Sequence, residues 1–326
     1  MNAAQAAAVG AGYGADIFHP TIAEFHPEPD GGTCFSDEDD QTHDAFVDMG
    51  KRRPNSKGTG RWKRTPRRRK LGLLILPTSS AKPSTTDSKS SVEITCDVLR
   101  RFLAAYLCID VDILPTDAAE WNPSSRSLRI HGSEYIGRVG TPGQVTKQKK
   151  NLTSKRKRSP NDVCLDVFSI FEAFEHAKFV QSPYFSMLVV TPLGLVEDVD
   201  GAFVEVLGRS YPDRVACVSL NQSLKSLLVT SAHELLHAMG VDHCSSFACV
   251  MNAISSDANW LLLSPPNLRK LKTFHGIPDS NTTFVVDRYT HLVDVLSTTS
   301  QLSSVCAVEV DMLTRKLHAM KQLGLY

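Results

Sequence analysis

The residues best suited to bind a metal or catalyse a reaction lie in one segment, 231–251. It reads SAHELLHAMGVDHCSSFACVM. His233 and His237 are four residues apart, so on a helix their imidazoles project from the same face, one turn apart. Both can then reach one metal ion at the distance of roughly 2.0–2.1 Å that zinc requires. Glu234 directly follows the first histidine, beside the ion rather than on it, where a general base for a bound water belongs.

Two further residues complete this pattern. Gly240 allows the chain to turn at the end of the helix, where a residue with a Cβ atom would be penalised. The turn returns His243, which supplies a third nitrogen. Three protein ligands leave a fourth position open to water, and this is the arrangement of a catalytic zinc site rather than a structural one.

The segment resembles the extended metzincin motif, H-E-x-x-H-x-x-G-x-x-H. Its continuation with Cys244, Cys249 and Met251 is similar to that of the archaemetzincins, which are zinc-dependent peptidases of the zincin fold. The resemblance extends upstream to 202–210 and 215–220, where archaemetzincins have two strands before the active-site helix, and more weakly to a strand at Leu71.

The resemblance implies a role for each residue of the motif. Glu234 would be the general base, and Met251 would be the Met-turn residue beneath the metal. The implied ligands of the catalytic zinc are His233, His237 and His243.

The chain departs from the family at a second zinc site. Archaemetzincins complete a four-cysteine site with a later Cys-x-x-Cys, but Ser264 and Asn267 occupy those positions here. Cys244 and Cys249 remain as half of a site, and neither a hydroxyl nor a carboxamide is a good zinc ligand. The sequence therefore predicts one bound zinc rather than two. The alternative is replacement of the missing ligands by other donors, of which two are available: His275 and Cys306.

The order of predicted elements favours an α+β fold, a zincin-like catalytic domain with a mixed sheet and an active-site helix. The predicted strands are 71–77, 109–114, 127–131, 187–191, 202–207 and 215–220. The predicted helices are 92–108, 163–179, 223–239, 267–274, 284–297 and 305–323. The hydrophobic positions of 223–239 place Leu228, Leu235 and Met239 toward the core, and His233 and His237 toward a cleft. By analogy with metzincins, we expect the peptide to lie along 202–207.

We expect three parts in the chain. Residues 1–70 have few apolar runs and form a disordered tail, pinned at most locally, while 71–280 form the catalytic domain and 281–326 a C-terminal helical extension. The segment 140–160 is polar and basic, and we expect an exposed insertion there.

Composition limits the other properties. The chain is 42% hydrophobic and 22% charged, which excludes wholesale disorder and membrane-spanning segments. We expect an intracellular protein, cytoplasmic or nuclear, because there is no secretory signal pattern and the eight cysteines are scattered. The net charge of +1 conceals two basic runs, 51–70 with 11 basic residues and 147–158 with seven. The first run has the spacing of a bipartite nuclear import signal, although most such runs are solvated loops.

Three functions remain open. The favoured one is a zinc peptidase that acts on a peptide or protein, with aminopeptidase activity as one form. The second is a zinc-binding scaffold without turnover, against which the presence of Glu234 speaks. The third is a nuclear or nucleic-acid-associated factor. This function is disfavoured because Trp62 is the only aromatic residue in the basic runs that could stack on a base.

Overall fold

A computed structural model describes most of the chain. The described residues are 41–51, 68–76, 91–115, 118–122, 127–130, 136–138, 164–175, 183–200, 202–211, 215–244, 249–252, 261–322 and 324. The predicted insertion at 140–160, the second basic run and most of the first basic run lie outside these ranges.

Within the described residues, two runs of five consecutive strands are separated by a helix, and five helices follow one another toward the last residues. The helices are α1 (His43–Lys51), α2 (Ser91–Leu107), α3 (Val167–Glu175), α4 (Leu224–Ala238), α5 (Pro265–His275), α6 (Thr283–Thr298), α7 (Ser300–Ser303) and α8 (Ala307–Gln322). The first strands are β1 (Lys70–Ile75), β2 (Val111–Ile113), β3 (Ala119–Asn122), β4 (Ser127–Ile130), β5 (Ile136–Arg138) and β6 (Cys164–Asp166). The remaining strands are β7 (Tyr184–Thr191), β8 (Gly194–Val199), β9 (Ala202–Val206), β10 (Gly208–Tyr211) and β11 (Val215–Ser219).

The largest sheet has the order β10-β11-β7-β1-β2. Four of its strands are parallel, and β10 runs antiparallel to β11 at one edge. Two smaller sheets have the orders β3-β4-β5 and β6-β8-β9. The structure is therefore a mixed α/β arrangement, and the mixed sheet that we expected is confirmed.

The large sheet separates two hydrophobic cores. Alternate residues of its strands point to opposite faces, so Leu188 and Val190 enter one core while Val189 enters the other. The first core contains apolar residues of α2, α4, α5, α6 and α8, and the second contains those of α3 and the small sheets. Burial on both faces explains why β1 and β11 are almost continuously apolar in sequence.

Several predicted elements differ from those observed. The apolar period at 163–179 predicts one helix, but β6 precedes α3 there, because Asp166 accepts hydrogen bonds from the N–H groups of Phe168 and Ser169 and so begins the helix late. The strands β8 and β10 were not predicted. Neither is strongly apolar throughout, and β10 contains only one aromatic residue, Tyr211.

Part of the segment predicted to be a tail packs on the body of the protein. Helix α1 buries Phe46, which is 4% exposed, in the first core. At the other end of the chain, α6 and α8 contribute Leu292 and Leu313 to that same core. The boundaries at residues 70 and 280 stay predictions. Among the described residues, no helix combines the length and the apolar character needed to cross a membrane.

Candidate metal centre

Helix α4 carries the first two histidines of the motif. It begins after Ser223, whose hydroxyl accepts a hydrogen bond from the N–H of Ser226 at 3.2 Å and caps the helix. Leu228 and Leu235 are fully buried, whereas His233 and His237 are partly exposed. The helix therefore presents both histidines away from its buried leucines, as its periodicity predicts.

The chain reverses direction at Gly240. This residue has a φ of 83°, a left-handed conformation that glycine adopts without a Cβ penalty. Its N–H donates to the carbonyl of His237 at 2.7 Å, and the N–H of Val241 donates to that of Leu236 at 2.9 Å. These bonds satisfy the last carbonyls of α4 and bring the chain back along the helix.

The turn brings three imidazoles together. The Nε2 atom of His237 lies 3.1 Å from the Nε2 atoms of both His233 and His243. Ligand atoms of the three residues all lie within 4.8 Å of one another. Tetrahedral zinc with nitrogen ligands at 2.0–2.1 Å needs nitrogen–nitrogen distances of about 3.3–3.4 Å, so this cluster has the size of a zinc site.

Backbone carbonyls orient two of these rings. The Nδ1 atom of His233 lies 2.7 Å from the carbonyl oxygen of Val250, and that of His237 lies 2.8 Å from the carbonyl of Val241. A carbonyl only accepts, so each Nδ1 must carry the proton and each Nε2 must present a lone pair. Lone pairs at 3.1 Å repel one another unless a cation lies between them. The donor set therefore fits a bound metal ion.

Burial also keeps these two imidazoles neutral. It lowers the pKa of His233 to about 4. Burial, together with the two neighbouring imidazoles, lowers the pKa of His237 to about 3. Because a histidine must be neutral to bind a metal, both rings are ready to bind over the physiological pH range.

Glu234 lies on α4 next to the cluster and is 9% exposed. Burial raises the pKa of its carboxyl group to about 7, while a hydrogen bond from Ser210 and the charge of Arg209 oppose this shift. A carboxylate with a pKa near the working pH suits proton transfer in both directions. A bound cation would add its own charge and lower this pKa.

Strand β10 packs directly against α4 beside Glu234. A Cβ atom on Gly208 would lie 2.6 Å from Cγ2 of Thr230 and 3.1 Å from Cγ of Glu234, so only glycine fits without a shift. Ser210, two residues on, also faces the helix, because it donates to Glu234. Tyr211 faces the other way and packs on Phe171, with ring centroids 5.6 Å apart.

The strand that we expected to hold the peptide is not part of the large sheet, and its role stays a prediction. The segment 202–207 mostly forms β9, which pairs with β8 in a separate three-stranded sheet. The edge strand of the large sheet beside Glu234 is β10. Its pairing with β11 begins at Leu207, whose carbonyl accepts from the N–H of Ser219 at 2.9 Å. The order of elements in the sequence does not reveal that residues 202–211 form strands in two different sheets.

Residues 249–252 form a second tight turn, closed by the N–H of Asn252 on the carbonyl of Cys249 at 3.1 Å. The carbonyl of Met251 accepts from the N–H of Cys244 at 2.8 Å, and Asn252 bridges the N–H of Cys249 and the carbonyl of Cys244. Met251 is fully buried, and its neighbour Val250 orients His233. Its assignment as the Met-turn residue stays a prediction.

The four positions of the predicted second site lie near one another. Cys244 and Cys249 are buried and contact each other, and the amide nitrogen of Asn267 lies 3.9 Å from the sulfur of Cys249. Ser264 caps α5 and accepts from the N–H of Asn267. Within the described ranges, only the three histidines form a cluster of three or more metal-binding side chains.

Of the two alternative donors, one has a hydrogen-bond partner and the other is buried in the first core. The Nε2 atom of His275 lies 2.7 Å from the carbonyl oxygen of Leu107. Cys306 is fully buried in the first core, where burial raises the pKa of its thiol to about 11. Neither residue belongs to a cluster of metal-binding side chains in the described part of the chain.

Sequence reasoning missed three residues at this site. Val250 orients His233, Ser210 contacts Glu234, and Gln41 contacts the turn that precedes His243. A backbone carbonyl leaves no trace in residue type, and Gln41 is almost 200 residues away in sequence. The serine follows Gly208 and Arg209 in a strand that was not predicted.

The chain was compared with protein families, curated proteins and solved structures. No protein-family profile matches the chain, and no curated protein matches it. Among solved structures, the chain is similar to the crystal structure of archaemetzincin (amzA) from Methanopyrus kandleri, with 18% sequence identity over 65% of this chain and 96% of that one. The TM-score of this similarity is 0.35.

Proposed function

We propose that this chain is a zinc-dependent metallopeptidase of the archaemetzincin type. The observation that carries the proposal is the convergence of three Nε2 atoms beside a buried carboxyl group. Three histidines leave a coordination position free, and a buried acid next to it serves proton transfer rather than binding. The zinc ligands would be His233, His237 and His243, and the base would be Glu234.

In the proposed reaction, Glu234 removes a proton from the attacking water and later delivers it to the leaving amine. Zinc, when bound, lowers the pKa of water and polarises the scissile carbonyl. The hydrogen bond from Ser210 orients the carboxylate that carries this proton. The carbonyls of Val241 and Val250 keep two histidines in the orientation that binding requires.

The substrate is a peptide in an extended conformation. Strand β10 ends the large sheet, and no described strand pairs with its outer edge. An extended peptide can add to such an edge through main-chain hydrogen bonds. Because β10 contacts α4 at Gly208 and Ser210, a peptide there would lie next to Glu234.

A peptide library tests the proposal. The zinc-loaded protein should cleave a defined set of peptides, and mass spectrometry of the products separates removal of terminal residues from internal cleavage. The substitution Glu234→Gln should keep zinc but lower the rate at least about 100-fold, because the base is lost. Glu172→Gln is the matched control, since Glu172 is exposed on α3 at the other face of the sheet.

Two results would contradict the proposal. Cleavage by Glu234→Gln at the wild-type rate would exclude the assigned base. Retention of zinc by a wild-type chain that cleaves no peptide would favour the zinc-binding scaffold instead.

A further inference from the structure

The turn that connects the second and third histidines has two sides. On its inner side, the N–H groups of Gly240 and Val241 and the carbonyl of Val241 are bonded to the end of α4. On its outer side, the carbonyl of Gly240 and the N–H of Asp242 point away from the helix toward the N-terminal segment. His243 directly follows Asp242, so its position depends on the group that bonds to this outer side.

The side chain of Gln41 bonds to both outer groups. Its Nε2 donates to the carbonyl of Gly240 at 3.1 Å, and its Oε1 accepts from the N–H of Asp242 at 3.3 Å. One planar amide therefore spans the turn with two antiparallel bonds, as a neighbouring strand would. A carboxylate could not donate to Gly240, and a shorter side chain could not reach both groups.

Helix α1 fixes Gln41 independently of the turn. Thr42 caps the helix by accepting from the N–H of Ala45 at 3.1 Å. Phe46 is buried in the first core, and the ring of His43 lies 2.9 Å from the hydroxyl of Thr273 on α5. Gln41 directly precedes this capped and packed helix, and its two bonds tie the turn to α1.

We propose that Gln41 is a positioning residue for the metal centre, which acts by holding the turn that presents His243. The inference rests on the proposed function. This role makes the N-terminal segment contribute to metal binding. The spacing of the histidine motif does not indicate such a contribution. Groups that bond directly to a metal ligand commonly contribute about 10- to 100-fold in metal affinity, and Gln41 bonds to the residue just before His243.

The test uses full-length Gln41→Met, which keeps the length of the side chain and removes both hydrogen bonds. In metal-free protein, the amide of Asp242 should exchange with solvent faster in this variant than in the wild type. Zinc affinity, measured by competition with a chelator, should fall by about 10- to 100-fold. Gln322→Met on α8, where the residue is exposed, is the matched control and should change neither value.

A double-mutant cycle separates positioning from general destabilisation. If Gln41 acts through His243, then Gln41→Met should weaken zinc binding in the wild-type background but should not change the residual binding of His243→Ala, which is followed by direct zinc titration without a competing chelator. Equal losses in both backgrounds, or unchanged exchange of the Asp242 amide, would overturn the inference while leaving the proposed function intact. A wild-type chain that binds no zinc would instead contradict the proposed function.

Discussion

The Nδ1 atom of His233 lies 2.7 Å from the carbonyl oxygen of Val250, so a residue 17 positions later in the chain orients the first histidine of the cluster. The same bond ties α4 to the turn that contains Met251. The N–H of Val250 in turn donates to the carbonyl of Leu262 at 3.0 Å. The site is thus held by the segments that follow the motif as well as by the helix that carries it.

Removal of the central histidine should abolish metal binding. His237→Ala deletes the Nε2 atom that is closest to both other rings, and also the bond to the carbonyl of Val241. Because zinc that binds only the folded state stabilises it by mass action, zinc should raise the Tm of the wild type but not of this variant. Exposed His291 provides the control substitution, His291→Ala. Equal zinc content in both variants by elemental analysis would contradict the ligand assignment.

The contact between β10 and α4 predicts a steric effect. Gly208→Ala would place Cβ 2.6 Å from Cγ2 of Thr230, and the resulting strain should lower stability by about 1–3 kcal/mol and displace Glu234. Thr230→Ser removes that methyl group and keeps the hydroxyl that bonds to Gln222 at 3.2 Å. Urea denaturation and peptide cleavage should therefore show partial rescue in the double variant. If the losses of stability and activity from the two substitutions simply add, the Cβ atom at position 208 does not clash with Thr230.

Loss of a cysteine should leave zinc content unchanged. Cys249 contacts Cys244 and Asn267 but no further metal-binding group of the described chain. Cys249→Ser should therefore retain one zinc per chain after dialysis, as the wild type does. A wild-type ratio near two that falls to one in the variant would instead establish a second site.

Lys316 on α8 should make stability depend on pH. It is 3% exposed, and burial lowers its pKa to about 7, compared with about 10.4 in an unfolded chain. Between these values the unfolded state binds a proton that the folded state does not, so the free energy of unfolding should rise with pH. From pH 7 to 9.5 the gain should be up to about 3 kcal/mol.

Lys316→Met should remove this dependence, and urea denaturation at the two pH values measures it. The exposed Lys321 lies on the same helix, so Lys321→Met should keep the wild-type slope. Parallel pH profiles for wild type and Lys316→Met would show that Lys316 does not titrate in this range.

Much of the site was predictable because its chemistry depends on local spacing. The histidines of α4 and the glycine after it act within a single turn, where residue type and helical period determine geometry. The burial of Leu228 and Leu235 follows from the same period. Helices α2, α4 and α6 were accordingly predicted to within one residue at each end.

The remaining features depend on long-range contacts. Gln41 is an ordinary polar residue in a segment without a strong apolar pattern, and the packing of α1 through Phe46 and His43 brings it to Gly240. The division of 202–211 into β9 and β10 depends on which neighbouring strand each part meets. Such partners are set by the tertiary fold and leave no local period in the sequence.

Zinc X-ray absorption on the purified protein tests the central claim most directly. Metal analysis should give one zinc per chain, and the absorption fine structure should show only nitrogen and oxygen at about 2.0–2.1 Å, with the outer-shell scattering of imidazole rings. That result would place the ion among His233, His237 and His243. A sulfur shell at about 2.3 Å, or a chain that retains no zinc, would contradict the account.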